Sequence, residues 1–320
     1  MVNSEEKLKS LADRLGIENL SQARYFPKYF EIETIHAFNA KCEMCPIWQN
    51  PSDYRRMEQG LFEKIAEEMS RYSSWINSVC LSRNGEPLLD KNLSKKIRML
   101  KNYGIKDVTF STNASLLDAG RAVELIESGL DDIRFSIDGV TKETFESIRR
   151  GLVFEEVVEN CLQFIKLRNE RGHLPRIRVR MALQDRNQHE EKQWKNYWLS
   201  QVSPTDVVYS KRINTWGNQL EGHSEGETEI ERYSNIPCIS PWSSMIVLHS
   251  GKVPLCGVDY KPIFELGDLN DSTIAQVWTS KKFDEVREKH FSGKRNDIIL
   301  CRGCNIWDLD EKKVYNSEEK

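Results

Sequence analysis

No apolar run in this 320-residue chain approaches the roughly 18 residues that a membrane-spanning helix needs. The first ten residues, M-V-N-S-E-E-K-L-K-S, lack the apolar core of a secretory signal. There is no large basic block, and the net charge is −3. An electrostatic footprint for nucleic acid is therefore missing. These absences exclude a membrane span and a nucleic-acid role, and they make a cytoplasmic location the default. What is present, 39% hydrophobic and 30% charged residues, is the balance of a soluble globular chain. At this length it can bury the core of one large α/β domain and a smaller one.

In an intracellular chain, eight cysteines are thiols or metal ligands rather than disulfides. Four of them form two C-x-x-C pairs, Cys42 with Cys45 and Cys301 with Cys304. That spacing lets a loop present two thiolates to one metal centre. Cys80 lies in the apolar run Ile76–Leu81, and Cys161 lies on the apolar face of a helical stretch. Both read as core packing, since an unligated cysteine behaves as a small hydrophobe.

Residues 1–25 read as a charged amphipathic helix and a turn, with Leu8, Leu11, Leu15 and Ile17 as a docking stripe. From Tyr29 short β-like runs alternate with helical ones. Strands are expected at Tyr29–Thr34, Asn77–Ser82, Asp107–Ser111, Asp132–Ile137, Ile177–Leu183 and Asp206–Ser210. Helical patterns fall between them, at Gly60–Tyr72, Lys91–Tyr103, Asp118–Ser128, Phe154–Glu170 and Gln188–Val202. Gly104, Gly129 and Gly172 stand where helices would stop. Serial β-α units imply a parallel sheet with right-handed crossovers, so the expected fold is α/β, a partial (β/α)6 TIM-like barrel. Functional residues of such a fold sit past the strand ends. There the chain carries the two cysteines, then R-N-G-E-P-L-L (83–89), S-T-N-A (111–114), S-I-D-G (136–139) and Gln184. Each alone is an ordinary loop or cap, but their repetition at equivalent positions is harder to dismiss.

Residues 214–235 have few apolar residues and read as a linker. Beyond them an alternating run Ser244–His249, a turn at 250–252 and Val253–Cys256 form an expected β-hairpin. A helical pattern around Ile274–His290 follows, with Trp278 and Phe283 as core. The expected divisions are thus a helical extension at 1–27, the barrel at 28–213, the linker, a small hairpin-and-helix cluster domain at 236–310 and a charged tail at 311–320.

Together these motifs resemble the radical SAM enzymes that carry a C-terminal twitch domain, the short form of the SPASM domain. The resemblance spans about residues 28 to 307. Cys42 and Cys45 match the last two positions of the family's C-x-x-x-C-x-x-C; Phe38 stands at the first. Gly85-Glu86-Pro87 matches the family's motif after the second strand, and Ser136-Ile-Asp138-Gly matches that after the fourth. Cys238, Gly251, Cys256, Cys301 and Cys304 match the twitch pattern, in a spacing similar to that of enzymes oxidising an alcohol of an aminocyclitol.

The resemblance implies a 4Fe–4S cluster whose open iron binds S-adenosylmethionine, and a 5′-deoxyadenosyl radical that takes hydrogen from a small-molecule substrate. It implies that Glu86 accepts from the methionyl amine, that Ser136 and Asp138 hold the ribose or carboxylate, and that Asn113 lines the same mouth. It implies an auxiliary 4Fe–4S cluster on Cys238, Cys256, Cys301 and Cys304, and an electron donor such as flavodoxin or ferredoxin. Asp259, three residues beyond Cys256, is a candidate acceptor of a substrate proton; the alternative is a solvated hairpin residue.

Phenylalanine cannot ligate iron, and His36 is two residues off the motif. Three explanations for Phe38 stand: a variant of an active enzyme, a natural pseudo-enzyme that kept its auxiliary cluster, or an outside ligand. The expected activity is oxidation of a sugar or cyclitol. Peptide maturation is an alternative, against which the short N-terminus argues. The non-enzymatic alternative is an iron–sulfur or zinc-binding protein, for instance with zinc on the two C-x-x-C pairs.

Overall fold

The structure is a computed structural model that describes residues 4–47, 54–213, 216, 237–302 and 304. The expected linker at 214–235 (residue 216 apart) and the tail at 311–320 lie outside the described residues. In chain order the main elements are α1 (Ser4–Leu15), β1 (Tyr29–Ile32), α2 (Gln59–Ser70), β2 (Ser78–Cys80), α3 (Leu93–Asn102), β3 (Val108–Thr112), α4 (Ala119–Ile126), β4 (Asp132–Ser136), α5 (Lys142–Ile148), α6 (Phe154–Asn169), β5 (Arg176–Leu183), α7 (Glu191–Gln201), β6 (Val207–Arg212), β7 (Ser244–Val247), β8 (Lys252–Pro254), β9 (Glu265–Asp268), α8 (Ile274–Trp278) and α9 (Lys281–Phe291). The α/β class is as expected. Every expected strand forms, with small shifts at its ends. The pattern did not announce α5, whose seven residues span less than two turns. Among the described residues no helix is long and apolar enough to cross a membrane.

The chain divides into two compact units. One is built from Ile32–Met57 and Ser78–Ile213. Its sheet runs β6-β5-β4-β3-β2, with every neighbouring pair parallel. Side chains alternate across a strand, so the register sorts them into two faces. One face, with Val79, Val108, Phe110, Ile133, Phe135, Ile177, Val179 and Met181, is wholly buried. It packs under helices, as when Phe135 meets Phe164 of α6 edge-on at 5.6 Å. Cys161, also on α6, is buried in the core as expected. The other face is half-buried and polar, and it includes Cys80, Ser111, Arg134, Ser136 and Arg180. Gly104 and Gly129 take φ of +83° and +82° just past α3 and α4, the left-handed turn that glycine adopts without strain.

The other unit gathers residues 4–31, Glu58–Asn77 and the described residues from 216 onward. Leu11 and Leu15 of α1 pack with Leu20, Ala23 and Trp242, and Ile17 lies against them. Glu68 of α2 accepts from the Ile274 and Ala275 N–H groups that open α8, at 2.7 and 3.0 Å. Trp278 is fully buried, donates Nε1–H to the Ala23 carbonyl at 2.8 Å, and meets the tilted Phe283 ring at 4.9 Å. The hairpin forms only in part. The chain turns at Gly251, with Leu248 donating to the Lys252 carbonyl. However, β7 takes its place beside β1, and the ladder partner of β8 is β9, antiparallel. The alternating pattern located the turn, but strand partners are chosen by packing that the local sequence does not contain.

Candidate cofactor and cluster sites

In the β/α unit the cysteine loop is pinned from both sides. Ile35–His36 pairs antiparallel with Arg55–Arg56, and Lys41–Cys42 pairs antiparallel with Arg149–Arg150. Within the loop Cys45 N–H donates to the Cys42 carbonyl at 3.0 Å, so the two half-buried thiols share one turn. Phe38 is 38% exposed, and His36 meets it edge-on at 6.4 Å. The His36 Nδ1 lies 2.6 Å from a Glu33 carboxylate oxygen. A three-thiolate cluster therefore does not fit this donor set: position 38 supplies a phenyl ring, and two thiolates remain. No reaction step is assigned through that cluster.

Around the loop the expected residues do come together. Gly85 is required by contact, because a Cβ there would lie 2.1 Å from the Ile35 carbonyl oxygen. That closeness lets Glu86 N–H donate to the Ala37 carbonyl at 2.8 Å. The Glu86 carboxylate is buried. Its Oε1 accepts from Leu88 N–H and the Thr112 hydroxyl, and its Oε2 accepts from Asn113 N–H. Burial pushes this carboxyl above its usual range against the pull of those donors. A carboxylate has about four acceptor positions, so one direction on Oε2 remains for an ammonium. Asn113 in turn donates Nδ2–H to Asn39 at 2.9 Å, and Asn39 donates to the Ser115 hydroxyl. Asn39 was not anticipated; its only sequence signal is adjacency to Phe38.

Asp138 is tied into the fold by its neighbours. It is wholly buried, and both of its oxygens accept hydrogen bonds. Oδ2 accepts from Arg149 Nε and Nη2 at 2.7 Å, and Oδ1 accepts from Ala182 N–H at 2.7 Å. Through Arg149 it is linked to the cysteine loop. Arg149 itself had no signal in the sequence. Its Nη1 reaches within 3.7 Å of Cys42 Sγ. Burial pushes the Cys42 thiol up, and the Arg149 charge pulls it down. Ser136 is half-buried on the polar face of β4, opposite Arg180.

In the second unit Cys238, Cys256, Cys301 and Cys304 are brought together. The Cys301 thiol is pushed well up by burial and by the neighbouring Cys256, Cys238 and Cys304. That of Cys238 is pushed up to about 11, chiefly by burial. Arg295 is buried and donates to the Cys301 and Cys304 carbonyls at 3.0 and 2.6 Å, which shapes the C-x-x-C turn. The His290 Nδ1 accepts from Cys238 N–H at 3.1 Å. Among the described residues no three of these sulfurs lie within 4.8 Å of one another. A zinc ion bonded at about 2.3 Å would draw four thiolates to about 3.8 Å apart. Four thiols match in kind the donor set of a 4Fe–4S cluster, which takes one thiolate on each iron and holds them farther apart. Asp259 is neither a solvated hairpin residue nor open to substrate. It is fully buried and accepts from the N–H groups of Leu255, Ile263 and Phe264, closing the loop that carries Cys256.

Residues 37–174 match the family model of the radical SAM superfamily, and residues 238–305 match that of SPASM, an iron–sulfur cluster-binding domain. The chain is 24% identical over 319 residues to the tungsten-containing aldehyde ferredoxin oxidoreductase cofactor-modifying protein of Pyrococcus furiosus, covering 88% of each. It is 31% identical over 160 residues to a probable GTP 3′,8-cyclase of Saccharolobus solfataricus, covering about half of each (50% and 49%). Its fold is similar to that of BtrN in complex with AdoMet and 2-DOIA, with a TM-score of 0.59 and 19% identity over 87% of this chain and 93% of that one. It is also similar to Streptococcus suis SuiB bound to precursor peptide SuiA, with a TM-score of 0.69 and 14% identity over 92% and 76%.

Proposed function

We infer that this chain, which belongs to the radical SAM superfamily and carries a SPASM cluster domain, is built to oxidise a small molecule, with a sugar or cyclitol as the substrate class. The observation that carries this reading is the proximity of the four thiols Cys238, Cys256, Cys301 and Cys304, which would ligate a single auxiliary cluster. The likeness to BtrN, whose structure holds 2-DOIA and of which 93% is covered, supports it.

The four thiols would hold the auxiliary 4Fe–4S cluster with no iron left open, and such a cluster supplies electron transfer rather than substrate ligation. The chain's own groups then bind and orient. Glu86 offers its remaining Oε2 acceptor direction to the amine of S-adenosylmethionine, and Ser136 offers a hydroxyl on the polar face. Asn113 and Asn39 fix the loop in which those groups meet. Asp138 and Arg149 are positioning residues for Cys42. A small redox protein such as ferredoxin or flavodoxin is the electron donor of this reading.

A third ligand at position 38 completes the scheme. The test is anaerobic reconstitution of Phe38→Cys with S-adenosylmethionine and a strong reductant. Formation of 5′-deoxyadenosine is expected; its absence from fully iron-loaded protein would falsify the enzyme reading. Peptide maturation is the second reading, favoured by the TM-score of 0.69 to peptide-bound SuiB. Substrate-dependent consumption of a cyclitol rather than a peptide by the reconstituted Phe38→Cys protein separates the two.

A further inference from the structure

The polar face of the β/α sheet is strongly basic. Register places Ser111, Arg134 and Arg178 in one layer, and Ser136, Arg180 and Tyr209 in the next. Arg176 and Lys211 lie on the same face, below and above these layers. Within the paired strands, Asp132 is the carboxylate on that face. It is already engaged, accepting from Arg176 Nε and Arg178 Nε, both at 2.7 Å. Asp138, just past β4, is held by Arg149. Arg134 donates to the Ser111 hydroxyl at 3.3 Å, a neutral partner. The Arg180 Nε is buried and has no hydrogen-bond partner among the described residues.

Such a layout costs stability. A buried guanidinium Nε–H without an acceptor loses hydration that nothing returns, and like charges in adjacent layers repel. The Arg180 guanidinium is pulled below its ordinary range chiefly by burial, with Tyr209 and the Asp138 carboxylate opposing the effect and Arg134 and Arg149 adding to it. An oxyanion between the layers would relieve both costs. A guanidinium fork is matched in shape to the paired oxygens of a phosphoryl group, and serine hydroxyls can donate to the others.

We propose that this face binds the phosphoryl group of a phosphorylated small-molecule substrate, with Arg180 as its central fork and Arg134 and Ser136 beside it. The proposal rests on the small-molecule reading above and narrows it to anionic substrates.

The test is calorimetric titration of the full chain with inorganic pyrophosphate at constant ionic strength. Neither cluster nor reductant is needed, so its failure is distinct from a failure of Phe38→Cys to cleave S-adenosylmethionine. Saturable binding is expected, weakened at least tenfold in Arg180→Met. Arg176→Met, which changes a side chain 43% exposed, is expected to leave it unchanged. Because Arg180→Met removes a buried charge, its melting temperature is expected at or above that of the parent and unresponsive to pyrophosphate. Arg134→Gln is the second variant and is expected to weaken binding as well. No saturable binding by the parent chain, or equal binding by both the Arg180 and Arg134 variants, overturns the proposal. So does competition between S-adenosylmethionine and pyrophosphate, which would assign the guanidinium to the carboxylate of S-adenosylmethionine.

Discussion

Cys42 and Arg149 face each other across a two-residue antiparallel bridge, and the guanidinium that this register delivers lies 3.7 Å from the Cys42 sulfur. The same guanidinium grips the buried Asp138 carboxylate through two nitrogens. One side chain thus ties the cysteine loop to the end of β4. Arg149→Met should leave Asp138 buried and unpaired, at a cost of about 3–5 kcal/mol. Urea denaturation reads this directly. A second change, Asp138→Asn, should recover part of the loss, and an additive double variant would refute the coupling.

Phe38→Cys should raise the iron content by about one cluster, roughly four irons per chain, after anaerobic reconstitution. Iron and sulfide analysis of the parent and the variant side by side is the measurement. Equal iron in both would mean that Cys42 and Cys45 already recruit an outside ligand.

Cys301→Ala removes one of the four clustered thiols. Its broad iron–sulfur absorption in the visible should fall to that of protein lacking the auxiliary cluster. The β/α unit does not contain this residue, so far-UV circular dichroism should keep its parallel-sheet and helix signal.

Glu86 sets a pH dependence. Its folded carboxyl is pushed above its ordinary range by burial, so the unfolded chain releases this proton at lower pH than the folded chain does. Stability from this group is full below the unfolded value of about 4.3 and declines as pH rises through the folded value. Glu86→Gln should abolish that decline. At neutral pH it should also cost about 1–3 kcal/mol, because an amide nitrogen would face a donor that the carboxylate satisfies. Urea midpoints across pH 4 to 8 check both.

Much of the fold was legible because its signals are local. Strand and helix positions followed from periodicity and glycine stops. The cysteine spacing announced two thiol groupings, and the G-E-P stretch lies against the first of them, Glu86 N–H donating to the Ala37 carbonyl. The roles inside the loops were less legible. Asp138 read as a holder of the ribose or carboxylate and Asp259 as a proton acceptor, and in the structure both accept from donors elsewhere, Arg149 and Ala182 for one and three backbone N–H groups for the other. Cys80 was expected in the core, but its strand turns it to the half-buried polar face, where its sulfur lies 3.2 Å from the Ser82 hydroxyl.

By itself the sequence determined the order of elements, the kind of chemistry and the missing ligand at position 38. All three are properties of residue type and short spacing. Tertiary structure alone decided which charges are spent and which remain. Arg149 is committed to Asp138 and Cys42, Arg176 and Arg178 to Asp132, while Arg180 Nε keeps no partner among the described residues. The physical reason is that a charge is neutralised by whatever lies within a few ångströms, and parallel pairing brings together strands that are dozens of residues apart in the chain.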